Sequence, residues 1–189
     1  MKRTKVLTFI LLTLVLLAIA SAGSLYYRTT PHYLLRHEYA ADVTLDNGNV
    51  VRFIRHYEHT PEGLVFYDEL DVYRIVDLCS DDLVIPEKVG GYPVTAFGKH
   101  TPVAFFADTN SLQVKKLTLP DTMKNVGAGN FSNLEYLDIG NSTAYGLCQL
   151  DAYNLKDVKV SPDNARYKLE NGCLVYKENG DLVFDYTVE

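Results

Sequence analysis

Tryptophan is absent from the 189 residues, methionine occurs twice and cysteine three times. Cysteines at 79, 148 and 173 are too few to frame a disulfide-stapled miniprotein, and an odd number leaves at least one thiol unpaired in a monomer. A Cys148–Cys173 bridge is open to an exported chain; free thiols buried in small core positions are the alternative. Basic residues are also scarce: 18 Lys and Arg face 24 Asp and Glu, a net charge of −6. No cationic face able to displace counterions from phosphates is expected, which argues against a nucleic-acid partner. Catalytic signatures are missing too. No Ser stands in a Gly-x-Ser-x-Gly elbow, no glycine-rich loop leads into Lys-Ser or Lys-Thr, and there is no Cys-x-x-Cys. Enzymatic activity is therefore not expected, and no cofactor is implied.

What is present describes an ordinary folded chain, with 47% hydrophobic and 22% charged residues. Tyrosine is abundant at 14 residues, which suits pleated surfaces more than a helical bundle. The longest apolar run lies at the start. Lys2, Arg3 and Lys5 precede 17 uncharged residues, Val6 to Ala22, and Ala20-Ser21-Ala22 has the small-x-small form of a signal-peptidase site. At about 1.5 Å per residue the run reaches roughly 25 Å, less than the ~30 Å of a bilayer's hydrocarbon. Residues 1–22 are thus expected to be a signal peptide cleaved after Ala22. An uncleaved anchor extending to about residue 27 is the competing reading, because no charge follows until Arg28 and Tyr26 and Tyr27 suit the interface. A buried core helix is a third. Either of the first two places the remainder outside the cytoplasm, secreted or at the cell surface, touching membrane only through this segment. No cysteine follows the run that would take a lipoprotein anchor, and no apolar tail is expected at the far end.

The second half repeats. Val114-x-x-Leu117-x-Leu119, Leu134-x-x-Leu137-x-Ile139 and Leu155-x-x-Val158-x-Val160 start at intervals of 20 and 21 residues. Leu83-x-Ile85 is a weaker copy of the same ladder, displaced by an insertion of 14 residues divided between the loops 86–98 and 98–114. A unit this short cannot enclose its own core, so coils must stack, each strand pairing with the next. Leu117/Leu119, Leu137/Ile139 and Val158/Val160 then point inward, and Thr118, Asp138 and Lys159 line an exposed parallel sheet. Pro120 ends a strand, Gly127 and Gly129 permit a tight return, and Phe131 fills the coil.

These residues carry a resemblance. LTLPDTMKNVGAGNFSNLEYLDI, from Leu117 to Ile139, resembles the leucine-rich repeat of the BspA-like (treponemal-type) bacterial surface proteins. Its marks are Leu119-Pro120, Val126-Gly127, Phe131 and Leu134. Leu83 to Phe97 is similar to that family's opening coil, and Ser161-Pro162-Asp163-Asn164 with Gly172 to Leu182 to its closing segment. The resemblance covers about residues 71–184 and implies a bacterial cell-surface protein that attaches to or binds another protein. Thr122, Ser142 and Asp163 stand where ordinary leucine-rich repeats carry Asn, so no asparagine ladder is expected. The coil after Ile139 lacks Leu-Pro and a clear Phe, and its turn is degenerate.

The expected fold is therefore mainly β: a short leucine-rich-repeat solenoid of about three to four coils over 79–189, with a β-rich cap over 23–78 and hairpins at both ends. Asp46-Asn47-Gly48-Asn49 predicts the turn of a hairpin spanning Asp42 to Arg55. Gly63 to Tyr67 and Asp71 to Leu78 are two further strands; Tyr33 to Glu38 is a helix or an extended lead-in. Cys173 to Tyr176 and Asp181 to Phe184 flank Lys177-Glu178-Asn179-Gly180 as a closing hairpin.

The candidate binding face is the exposed sheet: Thr118, Glu135, Tyr136, Asp138, Lys156, Asp157 and Lys159, with Tyr136 its aromatic residue. The partner would be an extracellular protein or glycan. His56, Glu58, His59 and Glu62 form the densest set of potential metal ligands, but they read best as a solvated loop at a strand end. Asp68, Glu69, Asp71, Asp81 and Asp82 lack the spacing of a calcium loop and read as a charged edge. No metal is expected. Val103, Phe105 and Phe106 in the insertion 99–110 are either core or an exposed sticky patch.

Overall fold

The computed structural model describes residues 2–98, 110–127, 129–142 and 144–186, less the side chains of 2–13 and 25. The insertion carrying Val103, Phe105 and Phe106 lies outside the described residues.

The chain opens with helix α1, Lys2–Arg28, which runs without a break through Ala22 and Gly23. It is not a core helix: Leu14, Val15, Leu16, Leu17 and Ile19 are all at least half exposed. Among the described residues no helix is long and apolar enough to cross a membrane. Thr29 and Thr30 close α1, their hydroxyls donating to the Tyr26 and Tyr27 carbonyls at 2.8 and 2.7 Å. Thr30 then caps α2, Pro31–His37, accepting from the Tyr33 amide. Pro31 at the first helical turn needs no amide partner, so the segment left open by the sequence is a helix. Leu35 is fully buried and holds α2 to the domain.

Three antiparallel strands follow: β1 (Ala40–Thr44), β2 (Val50–Thr60) and β3 (Gly63–Asp77). The turn at Asp46–Asn49 forms as expected, with Gly48 at φ 87°. The two strands expected over 63–78 are one. β3 continues because β2 continues opposite it, and three register shifts absorb the mismatch between them.

The repeat forms a solenoid of about four coils. Its front sheet joins β4 (Asp82–Val84), β7 (Lys116–Thr118), β10 (Tyr136–Gly140) and β12 (Asp157–Val160), all parallel. The register sets Leu83, Leu117, Leu137 and Val158 side by side, the alignment that the apolar ladder predicts. All four are buried, as are Ile85, Leu119 and Ile139. Each coil also pairs on its return. β6 (Tyr92–Phe97) pairs in parallel with β8 (Asn125–Val126), which bridges to Tyr145, and β9 (Gly129–Asn130) pairs with β11 (Leu150–Asp151). The first of the two expected insertions is a small hairpin, β5 (Lys88–Val89) turning into β6.

Gly129 is required by close approach rather than by φ: a Cβ there would lie 2.9 Å from the Phe131 ring. Phe131 is fully buried against Phe97, ring centroids 5.7 Å apart. In the degenerate coil the Phe131 level falls at Ala152, since Asp151 pairs with Asn130. Leu147, Leu150 and Tyr167 fill the interior there, the Tyr167 hydroxyl donating to the Ala144 carbonyl.

The loops carry polar ladders, and one of them is built from asparagines at a corner other than that of Thr122, Ser142 and Asp163, where no asparagine ladder is expected. Asn133 Nδ2 donates to the Leu112 carbonyl at 2.7 Å, and one coil on Asn154 Nδ2 donates to Ser132 at 2.6 Å. On another corner Thr122 donates to Val94 at 2.7 Å and Ser142 to Met123 at 3.2 Å. The third member is Asn164, not Asp163; it is fully buried and reaches the carbonyls of Gly140 and Ser142 at 2.9 and 2.8 Å. Turn carbonyls that cannot reach an amide need a donor from the next coil, and a short side chain one residue either way can supply it.

The cap over the first residues does not continue the front sheet. β3 pairs in parallel with β6, so the antiparallel meander joins the stack through the return ladder. At the far end β13 (Tyr167–Glu170), β14 (Cys173–Tyr176) and β15 (Leu182–Asp185) form an antiparallel sheet of three strands, one more than expected. Arg166 lies 3.4 Å over the Tyr145 ring and also faces Tyr167 and Tyr176, tying this cap to the last coil. One apolar cluster runs from Leu35 to Val183. All three cysteines are free, and Cys79 and Cys148 are exposed, so neither the bridge nor the buried thiols are found. Cys148 falls in a 3₁₀ turn whose inward residue is Leu147, which leaves the thiol outside.

Candidate functional site

Alternation along each strand turns every second residue of the front sheet outward. One outward row is Val84, Thr118, Asp138 and Lys159; the next is Asp82, Lys116, Tyr136 and Asp157. Glu135 and Lys156 stand one residue before β10 and β12, at the mouth of the sheet. The structure therefore gathers the seven residues of the expected face onto one surface drawn from three coils. Thr118, Glu135, Tyr136 and Asp138 are half-buried; Lys156 and Lys159 are exposed.

Three charge pairs cross between neighbouring coils on or beside this face. Lys156 Nζ is 2.9 Å from Glu135 and Lys159 Nζ is 2.8 Å from Asp138, while Lys115 and Asp81 are 3.7 Å apart. The bond to Lys156 lowers the Glu135 pKa, and the bond to Asp138 raises that of Lys159. Tyr136 is pushed up, mainly by burial and then by the Asp138 charge. Exposed pairs of this kind contribute little to stability, so a partner can exchange them at low cost. The surface offers hydrogen-bond donors and acceptors, one aromatic ring and alternating charge rather than a field of one sign. Three members of the same face went unnamed in the sequence reading: Asp82, Val84 and Lys116. The Leu83-x-Ile85 alignment already put Val84 beside Thr118.

The potential metal ligands are arranged differently. The segment read as a loop is part of β2, so His56 and His59, an odd number of residues apart, project to opposite faces. His56 is buried and 3.9 Å from Glu58, while His59 is exposed. Asp68 pairs with Arg55, Glu69 with Lys124 and Asp81 with Lys115. Among the described residues no three His, Cys, Asp or Glu groups come together to hold a metal ion.

Paired carboxylates make stability pH-dependent. Bonds from Arg52 lower the Asp42 pKa, and bonds from Lys124 and Thr95 lower that of Glu69. Groups with lowered folded pKa values stabilise above their unfolded pKa, and that contribution is lost as pH falls through the folded value. The urea midpoint is therefore expected to fall between about pH 5 and pH 3, less so at high salt. A midpoint that stays flat over that interval would contradict the assignment.

Compared with models of known families, with curated proteins and with solved structures, the chain matches none.

Proposed function

We propose that this chain is an exported, non-enzymatic interaction module that binds an extracellular protein or glycan through the front sheet. The observation that carries the reading is the in-register stack. It turns side chains from separate coils into one continuous, charge-paired face around Tyr136, as solenoids do where they present binding surfaces. The apolar segment at 6–22 supports export, and the resemblance to BspA-like repeats supports a place on a bacterial surface, in adhesion or protein binding. The test uses the full chain in detergent as bait for cell-envelope extracts and extracellular-matrix proteins, with heat-denatured bait as control. For any saturable partner, Tyr136→Ala with Lys159→Ala weakens binding by about tenfold or more. Unchanged affinity removes the front sheet from the reading; no partner above the control removes the module.

A second reading, a membrane-tethered spacer, has its own observation. α1 passes Ala22–Gly23 unbroken and meets α2 across two threonines, so the domain hangs from the helix without a linker. Mass spectrometry of the protein from its native membrane separates the two, since the spacer keeps residues 1–22.

A further inference from the structure

The front sheet has an edge that the cap leaves open at one place. Ile85 donates to the Thr118 carbonyl at 3.0 Å, and the Asp81 carbonyl accepts from Lys116 at 3.0 Å. Odd-numbered residues of β4 therefore turn their main-chain groups toward β7. Asp82 and Val84 turn theirs the other way, where no strand is paired. At Asp82 the cap closes the edge: the carbonyl accepts from Asn49 Nδ2 at 2.9 Å and from Asn47 Nδ2. At Val84, which is 47% exposed, no described group takes either the N–H or the C=O.

The facing wall is a second free edge. Leu45 donates to the Asn49 carbonyl at 2.8 Å, so Leu45 and Val43 face β2 and Thr44 turns its N–H and C=O outward. β1 is the outermost strand of its sheet. Between the two edges lies a groove of about 630 Å³ whose walls include Val43, Thr44, Leu45, Val84, Pro86 and Val89. Asp46 and Asp82 stand on its rim, and neither carboxylate has an ion-pair partner among the described residues, whereas Asp42, Asp68, Asp81 and Asp138 all do.

We propose that this groove accepts a short extended segment of a partner protein, adding it as a strand at the Val84 edge. A bare main-chain edge recognises an extended main chain whatever its sequence, and pockets beside it select side chains. The apolar walls select apolar residues at alternate positions. The two unpaired carboxylates select a Lys or Arg between or beside them. Pro86 has no N–H to give, so the ladder ends after one residue pair and the accepted segment is short. The same proline, with Lys88 on the rim, keeps the edge from pairing with a second copy of itself. This site lies at the β4 edge of the outward face and shares Asp82 and Val84 with it, but its lining does not include Tyr136.

The test pans a phage library of random peptides against the full chain in detergent micelles. Synthetic versions of the enriched peptides are then titrated against wild type and variants. Val84→Pro removes the N–H that faces the groove and no bond to β7. It is expected to weaken binding about tenfold, and Asp46→Asn with Asp82→Asn is expected to weaken peptides bearing Lys or Arg; Tyr136→Ala has no effect. Bound peptide also slows hydrogen exchange at the Val84 and Thr44 amides of the wild-type protein, a readout that stands even where Val84→Pro fails to fold. The proposal is overturned by a library that enriches nothing over heat-denatured bait. It is equally overturned by peptides that leave the Val84 amide exchanging freely, or that bind a folded Val84→Pro as tightly as wild type.

Discussion

Replacing Phe131 by Ala is expected to destabilise the fold by about 3–5 kcal/mol, the range for a large aromatic removed from a packed interior. The residue is fully buried and touches the Phe97 ring of the preceding coil, so it fills a coil and seals the join between coils at once. The main chain leaves little freedom to collapse into the void, because β8 and β9 on either side of the return are held in parallel ladders. Cost therefore falls toward the upper part of that range, since it grows with the cavity that remains. For a domain of this size each kcal/mol lowers Tm by about 2–4 °C, and calorimetry reads the shift directly. Phe131→Leu, which restores most of the volume, should recover more than half of the loss. A drop below about 1 kcal/mol for Phe131→Ala would show that the coil interior is not the support the fold depends on.

Asn164→Ala is expected to cost about 3–4 kcal/mol by a different mechanism, an unmade set of buried hydrogen bonds rather than a cavity. Its amide nitrogen donates to the Gly140 and Ser142 carbonyls, and its oxygen accepts from the Arg166 and Tyr167 amides at 2.9 Å each. The side chain is fully buried, so water cannot replace it without entering the stack. Two carbonyls of one coil and two amides of the closing cap lose their partner together. The loss should be local as well as global. Amides of β13, β14 and β15 are expected to exchange faster than those of the front sheet, because Asn164 bonds to the last coil on one side and to the cap on the other. Uniform acceleration across the chain, or a stability loss under about 1 kcal/mol, would contradict the role. Asn49 has the matching position at the other end: its oxygen accepts from the Cys79 and Ser80 amides and its nitrogen donates to Asp82.

Asn49 and Asn164 bracket the solenoid, and neither is conspicuous in the sequence. Asn49 reads as the last residue of a turn, and Asn164 follows the Asp163 that the repeat spacing favours. A one-residue offset decides which side chain turns inward, and the apolar spacing does not carry that information once the strand has ended. The ladder of Asn133 and Asn154 was legible in principle, since each precedes a buried leucine at an interval of 21 residues. The front-sheet register is legible in the sequence for the same reason that makes it stable. Every inward position is apolar, and a slip by one residue would bury Lys116, Tyr136 or Asp157.

The outward face of the front sheet follows from that register, so its residues could be named from the repeat. The groove beside β4 could not. Periodicity specifies which residues point in and out along one strand, and hence the repeat, the inward ladder and the outward row. It is silent on what stands beside the first strand. That depends on where the cap docks, which is fixed by packing between residues far apart in the chain: β3 against β6, Leu35 beneath the cap, and two asparagines reaching Asp82. Local pattern therefore accounts for the coil, and long-range packing for the edge left open at its end.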